Sequence, residues 1–155
     1  MVCPEAYASM EPNGELPAPF VDCELPSPCA EVVYEMIGQG GTDGGDENQN
    51  AEALSCVLDA LASGEPGQFS FVAENSTTTI HVEIRVYAQG RAEWSYDEVE
   101  DSAWTQSRTP AQIDPAYFSN NVCNATTTWS GGWNCIRDGL AACATWADDA
   151  TLCPG

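Results

Sequence analysis

Eight cysteines are the residues of this chain best suited to chemistry, because thiols pair as disulfides or bind metal ions. Zinc sites of the ribbon and finger type place paired cysteines roughly two to four residues apart. The closest cysteines here, Cys23 and Cys29, have five residues between them, and His81 is the one histidine. The spacing therefore predicts up to four disulfides, formed in an oxidising compartment. The cysteines are Cys3, Cys23, Cys29, Cys56, Cys123, Cys135, Cys143 and Cys153.

The cysteines form two clusters, four up to residue 56 and four from residue 123, around a segment without cysteine. Short loops close at lower entropic cost, which favours pairing within each cluster. We therefore expect the disulfides to hold the helices and the N-terminal arm, while the strands between the clusters depend on ordinary packing. The local scheme predicts Cys3–Cys23, Cys29–Cys56, Cys123–Cys135 and Cys143–Cys153.

Disulfides also predict that the protein is located outside the cytoplasm, where it is secreted, periplasmic or at the cell surface. Met1-Val2-Cys3 is interpreted as a start placed where a removed signal peptide ended. A lipid anchor on Cys3 is the alternative, but it would leave seven cysteines and one of them unpaired. No run of about 18 apolar residues is present, so we expect no transmembrane segment.

The charge of the chain limits its partners. It has 24 acidic residues against four basic ones, for a formal net charge of −20. Such a surface repels the phosphates of DNA and RNA and anionic membranes, so nucleic-acid binding is not expected. High like charge commonly serves solubility, and a cationic partner is the functional alternative.

Catalytic chemistry has little support in the sequence. His81 is the only candidate base for a catalytic triad. It is predicted to lie mid-strand, on the face opposite Ile80 and Val82. The simpler interpretation is that its side chain is solvated there. Paired carboxylates could hydrolyse glycosides, but with 24 acids some pair will always be close. We therefore lean against an enzyme.

Acidic segments raise the question of calcium, which prefers hard oxygen ligands. One candidate is the glycine-rich segment with Asp43, Asp46 and Glu47, although its spacing does not match an EF-hand loop. A solvated flexible loop is the alternative, and no cofactor is predicted beyond this possibility of calcium. A second acidic cluster contains Asp97, Glu98, Glu100 and Asp101.

Five tryptophans offer a different kind of site. Trp129 and Trp133 flank Ser-Gly-Gly, and exposed rings of this kind stack on sugars or anchor protein interfaces. They are the candidate ligand-binding residues, with a protein or a glycan as partner. The alternative is that these rings fill the core beside the cysteines.

The pattern of the chain predicts one domain over 1–155. Residues 1–28 are proline-rich and are predicted to form an irregular arm. Residues 38–50 are predicted to form a flexible glycine-rich loop. Helices are predicted over 29–37, 50–63 and 133–146.

The strands are predicted from alternation of apolar and polar residues, which is strict from Ile80 to Val86. The predicted order is two helices, a run of strands and a further helix, which indicates an α+β fold. We expect an antiparallel meander of three to four strands with two to three helices packed on one face, held together by disulfides. The predicted strands are 68–73, 78–88, 91–97 and a weaker one near 103–113.

The segments AEALSCVLDALASGEPGQFSF (51–71) and CIRDGLAAC (135–143) resemble a group of uncharacterised secreted or lipid-anchored bacterial proteins rich in cysteine. The resemblance implies export and the order of a helix followed by a meander, and it transfers no functional residue. Three functions stay open: an exported, non-catalytic binding or surface module; a small extracellular hydrolase using paired carboxylates; and an inhibitor or effector aimed at a cationic partner.

Overall fold

A computed structural model describes residues 7–9, 23–35, 47–48, 51–100, 103–119, 123, 129–142 and 153 of the chain. Its helices are α1 (Ala51–Ser63), α2 (Pro115–Ser119) and α3 (Trp129–Asp138), and a 3₁₀ turn spans Ala88–Gly90. Its strands are β1 (Tyr7–Ser9), β2 (Val32–Glu35), β3 (Glu47–Asn48), β4 (Gly67–Glu74), β5 (Thr78–Val86), β6 (Arg91–Glu100), β7 (Ala103–Ile113) and β8 (Leu140–Ala142).

Four long consecutive strands form the centre of the sheet. β4, β5, β6 and β7 each pair antiparallel with the next, as the alternating segments predict. Shorter strands extend this meander, and within the described residues the sheet has eight strands in the order β1-β7-β6-β5-β4-β2-β3, with β8 also pairing with β7. Because β2 runs parallel to β4, the sheet is mixed. The α+β class with disulfides is therefore confirmed, whereas a purely antiparallel sheet of three to four strands is not.

The segment predicted as a helix over 29–37 contains strand β2 instead. Val32 and Tyr34 are buried and alternate with more exposed neighbours, which is the two-residue period of a strand. β-branched and aromatic side chains suit a pleated, half-buried surface. The helix prediction was wrong because so short an apolar run fits a helix face equally well.

Helix α1 confirms the prediction over 50–63, with its start at Ala51. Its apolar stripe packs on the side chains of β4 and β5 in one core, and full burial of a side chain of this size contributes roughly 1.5–3 kcal/mol. Gly64 ends the helix with a positive φ of 71°, and its N–H donates to the carbonyl of Ala60 at 3.2 Å. The core side chains include Leu54, Val57, Leu58, Leu61, Phe69, Phe71, Val82 and Ile84.

Helix α3 differs from the helix predicted over 133–146. It spans Trp129–Asp138, and after Gly139 the chain forms β8 rather than a further helical turn. The carbonyl of Gly139 accepts a hydrogen bond from the N–H of Asp114 at 3.1 Å, just beyond the end of β7. Gly139 allows the chain to leave the helix and pair with β7, which explains why α3 ends before the predicted residue 146.

Replacing Gly139 by alanine is expected to lower the free energy of unfolding by about 1–3 kcal/mol, the usual range for overpacking. A Cβ at this position would lie 2.5 Å from Cζ of Phe118 and would overlap the ring of Tyr117 as well. Urea denaturation measures the change, with Asn134→Ala on the exposed side of α3 as the control, within about 0.5 kcal/mol of wild type. An unchanged midpoint for Gly139→Ala would contradict the close packing.

The three disulfides of the described residues confirm half of the predicted scheme. Cys29–Cys56 and Cys123–Cys135 are present as predicted. The third bond joins Cys23 to Cys153, across a sequence separation of 130. It links the two clusters, so the predicted pairs Cys3–Cys23 and Cys143–Cys153 are wrong. Cys3 and Cys143 lie outside the described residues.

The reason for this correction lies in the fold. Cys23 is 7% exposed and packs with the buried Tyr87, which follows β5, so the sheet rather than the nearest cysteine determines its surroundings. The central strands β4 to β7 contain no cysteine and no disulfide, as expected. Most of the proline-rich arm and of the 38–50 loop lies outside the described residues. Within them, Tyr7–Ser9 of the arm pair with β7, and Glu47 and Asn48 of the loop pair with β2. None of the described helices is long and apolar enough to cross a membrane.

Candidate functional site

The two faces of the sheet differ in chemistry, because side chains alternate along each strand. On one face, here called the core face, Val82 and Ile84 of β5 pack in the apolar core with α1. The opposite face, here called the polar face, carries their neighbours Glu83 and Arg85. In register with these two residues lie Gln68, Ser70, Glu93, Ser95, Arg108 and Pro110.

A buried charge cluster lies on the polar face and consists of Glu93, Arg85, Arg108 and Tyr87. Glu93 is fully buried, and its Oε1 lies 3.4 Å from Nε of Arg85 and 3.5 Å from Nη1 of Arg108. The hydroxyl of Tyr87 donates to the same oxygen at 2.5 Å. Two guanidinium groups and a hydroxyl therefore converge on one carboxylate that is shielded from solvent.

Arg85 connects this cluster to the segment that begins at Cys23. Its Nη2 donates to the carbonyl of Cys23 at 2.7 Å, and its Nη1 donates to Oε1 of Gln68 at 2.9 Å. Its Nε donates to the hydroxyl of Tyr87 at 3.0 Å. The arginine thus holds the Cys23–Cys153 disulfide against the polar face.

The phenol of Tyr87 stays protonated in this environment. Burial raises its pKa well above the ordinary tyrosine value, and the hydrogen bond to Glu93 raises it further, while Arg85 acts in the opposite direction. A protonated phenol is the form that can donate to the Glu93 carboxylate. The group is therefore suited to hold charge in place rather than to exchange protons.

The cluster is closed to a substrate, because both Glu93 and Tyr87 have no exposed surface. A hydrolytic acid must reach the bond that it protonates, so the geometry indicates a structural role. The alternation along β5 puts Arg85 on the face opposite Ile84, but the sequence does not show that this face is covered. The signal in the sequence is that two of its four basic residues, Arg85 and Arg108, fall in segments predicted as strands on either side of the one that carries Glu93.

No family model, curated protein or solved structure matches this chain. The candidate site is therefore built from its own residues alone.

A partly exposed surface is found on the core-face side of β6 and β7. Three cross-strand pairs lie on the core face where Trp94 and Tyr96 pack partly against the core cluster, and all six residues are partly or fully exposed. We call this surface the β6–β7 shelf. Its pairs are Trp94 with Thr109, Tyr96 with Ser107, and Glu98 with Thr105.

The shelf combines aromatic rings with a carboxylate. The Tyr96 hydroxyl donates to Oε2 of Glu98 at 3.2 Å. Burial raises the pKa of Tyr96 strongly, Glu98 raises it further, and Arg137 of α3 has the opposite influence. Trp94 meets the ring of Trp133 edge to face, with 5.3 Å between centroids, so α3 ends the shelf at this side.

The residues singled out from the sequence are not brought together. Trp133 is 6% exposed and belongs to the core, which matches the core alternative for this ring, and the side chain of Trp129 lies outside the described part. Asp43 and Asp46 lie outside the described residues, and of Glu47 only the backbone pairing is described. Their ligand and metal roles stay predictions.

His81 is exposed on the polar face, directly opposite Asp97 of β6. No hydrogen bond or ion pair joins these two side chains among the described interactions. No group of three or more histidine, cysteine, aspartate or glutamate side chains suited to a metal is found in the described residues.

Proposed function

We propose that this chain is an exported, non-catalytic binding module, and that it binds a cationic segment of another protein on the β6–β7 shelf. The observation that carries the proposal is the shelf itself, where the partly exposed rings of Trp94 and Tyr96 lie on the same face as Glu98. The disulfides support export, since such bonds persist in oxidising compartments.

The charge of the protein supports a cationic ligand. The net charge is −20, and the four basic residues are all arginines. Arg85 and Arg108 are buried against Glu93, so neither presents its guanidinium group at the surface. A surface of this kind attracts cations from a distance and raises their association rate at low salt.

The shelf chemistry supports recognition of a guanidinium or ammonium group. Aromatic faces attract such cations, with about 0.5–1 kcal/mol per contact at exposed sites. Glu98 supplies an acceptor for their N–H groups, and hydrogen bonds to a charged group contribute about 1.5–3 kcal/mol. The hydroxyls of Thr105, Ser107 and Thr109 border the rings and can accept further bonds.

Two alternatives receive less support from the described residues. The hydrolase would need an accessible pair of carboxylates, whereas the fully buried Glu93 is enclosed by two arginines. Stacking of a glycan on Trp133 would need an exposed ring face, and this ring is buried.

Binding of a short oligoarginine peptide, measured by calorimetry near 0.1 M salt, tests the proposal. We expect Glu98→Gln to weaken binding about tenfold, since it removes one charge-assisted contact, and Tyr96→Ala to weaken it about threefold. A matched oligoglutamate peptide is expected not to bind.

The control is Asp59→Asn on the exposed side of α1, which changes the net charge by the same amount as Glu98→Gln. If Asp59→Asn and Glu98→Gln weaken binding equally, attraction is only to the overall charge and the shelf is not the site. Binding of a neutral soluble glycan on the shelf with equal affinity would instead support the glycan alternative.

A further inference from the structure

Two short strands lie end to end along one edge of β7. Since β6 pairs with the other edge, β1 and β8 share the edge that β6 leaves, and both pair antiparallel with β7, so they run in the same direction. β8 ends at Ala142, opposite Ala111. β1 begins at Tyr7, opposite Arg108. The two strand ends are therefore separated along β7 by about 10 Å, at the usual rise per residue of a strand.

The cysteines next to these two strand ends are the ones that the described disulfides leave over. Those three bonds use six of the eight cysteines, and the remaining two are Cys3 and Cys143. Both lie outside the described residues, but covalent geometry limits their distance from the strand ends. Cys143 directly follows Ala142, so their Cα atoms are about 3.8 Å apart. Cys3 precedes Tyr7 by four residues, a span of at most about 14 Å.

We propose that Cys3 and Cys143 form a fourth disulfide, which joins β1 to β8 across the gap between them on the edge of β7. The Cα atoms of bridged cysteines lie roughly 4.4–6.8 Å apart. The residues between each cysteine and its strand end are long enough to bring them to that distance across a gap of about 10 Å. Pro110 of β7 lies opposite this gap and has no N–H to donate to a strand continuing there.

The bond forms by thiol–disulfide exchange. The thiolate of one cysteine attacks a protein or small-molecule disulfide of the oxidising compartment and forms a mixed disulfide. The thiolate of the other cysteine then displaces the carrier, which leaves with two thiols. The two cysteines thus lose two protons and two electrons in total, and the carrier disulfide accepts them. The same oxidant produces the three described disulfides, so no further reactant is needed.

The bond determines which chemistry is open to Cys3. In a disulfide the residue has no thiol left to carry a lipid, so the two fates of Cys3 exclude each other. Together with Cys23–Cys153, the bond ties the N-terminal and C-terminal segments to each other twice. It is independent of the proposed partner surface, because it lies at the edge of β7 and the shelf is formed by side chains on the face of the sheet. Its absence would leave the proposed function unaffected.

Peptide mapping of the full, exported chain under non-reducing conditions tests the proposal. Free thiols are alkylated first, and an endoprotease that cuts before aspartate then isolates Cys3 on the peptide 1–21 and Cys143 on the peptide 138–147. We expect mass spectrometry to find these two peptides linked, with a mass two hydrogen atoms below the sum of the separate peptides. A peptide 1–21 that carries an alkylated thiol or a lipid, or that is linked to a second copy of itself, would overturn the proposal.

The control is the Cys23–Cys153 bond in the same digest. It is expected to link the peptides 22–42 and 149–155, which contain these two cysteines. Recovery of this link shows that disulfides survive the digestion, so an unlinked peptide 1–21 would reflect the state of the protein itself.

A count of thiols in the denatured but unreduced wild-type protein gives a second readout, which does not depend on the folding of a variant. We expect no free thiol, whereas two thiols per chain would refute the bond. Single variants then assign the pair. Cys143→Ser is expected to leave Cys3 as a free thiol or as a mixed disulfide with a small thiol, and Cys3→Ser is expected to do the same to Cys143. If Cys143→Ser leaves the peptide 1–21 exactly as it is in wild type, Cys3 has another partner and the proposal is wrong.

Discussion

Replacement of Glu93 by glutamine is expected to lower the free energy of unfolding by about 3–5 kcal/mol. Glu93 is the carboxylate that faces both Arg85 and Arg108, at 3.4 and 3.5 Å, and it is fully buried. Glutamine retains the size of the side chain but leaves two guanidinium groups without the negative charge that offsets them. The free-energy cost of removing the two guanidinium groups from water is then no longer compensated. Removing one partner of a buried ion pair therefore destabilises the protein more than the net contribution of the pair to stability would suggest.

Urea denaturation monitored by tryptophan fluorescence measures this change. The matched control is Glu83→Gln, the same substitution on the same face, whose carboxylate lies 3.7 Å from Nη1 of Arg85 but is 30% exposed. We expect a loss of less than about 1 kcal/mol there, because exposed ion pairs contribute little. If both substitutions destabilise equally, the charge cluster is not shielded from solvent and does not organise the polar face.

The central strands and α1 could be predicted from the sequence because each has a strong local pattern. The alternation from Ile80 to Val86 identified both the strand β5 and the side that faces the core. The three- and four-residue steps of Leu54, Val57, Leu58 and Leu61 identified α1. In both cases the period of the apolar residues is set by the geometry of the element itself, so no knowledge of its neighbours is needed.

The short elements could not be predicted, since their form depends on what they pack against. β2 becomes a strand because β4 offers a parallel partner, and β8 becomes one because Gly139 releases the chain toward β7. The apolar runs of these segments are too short to separate a strand from a helix. The same reasoning applies to Cys23, whose partner is set by the position of the sheet rather than by distance along the chain.

The candidate sites needed the register of the strands. The sequence gives β6 an alternation that places Trp94 and Tyr96 on the core side, but it does not tell how far α3 extends over them. It also does not show that Glu93 lies between two arginines. Each of these relations joins residues on different strands, and a shift of one residue in register would move all of them to other faces.

Removal of the Cys23–Cys153 disulfide, by Cys23→Ala with Cys153→Ala, is expected to lower the free energy of unfolding by about 5 kcal/mol in the chain-entropy model. The bond closes a sequence separation of 130, so its loss frees a long loop in the unfolded chain. It also releases the segment whose carbonyl, at Cys23, accepts the hydrogen bond of Arg85. Urea denaturation without reductant gives the size of the effect. Hydrogen exchange is expected to show residues 23–28 losing protection before the central strands.

The matched control is Cys123→Ala with Cys135→Ala, which removes a bond across a separation of 12. Here the same model gives a loss of about 3 kcal/mol, because the loop is far shorter. The difference of about 2 kcal/mol between the two double variants tests whether the long-range bond constrains the unfolded chain as its span implies. A smaller loss for the Cys23–Cys153 variant than for this control would show that the other disulfides already impose the constraint, and that the bond acts only locally on the polar face.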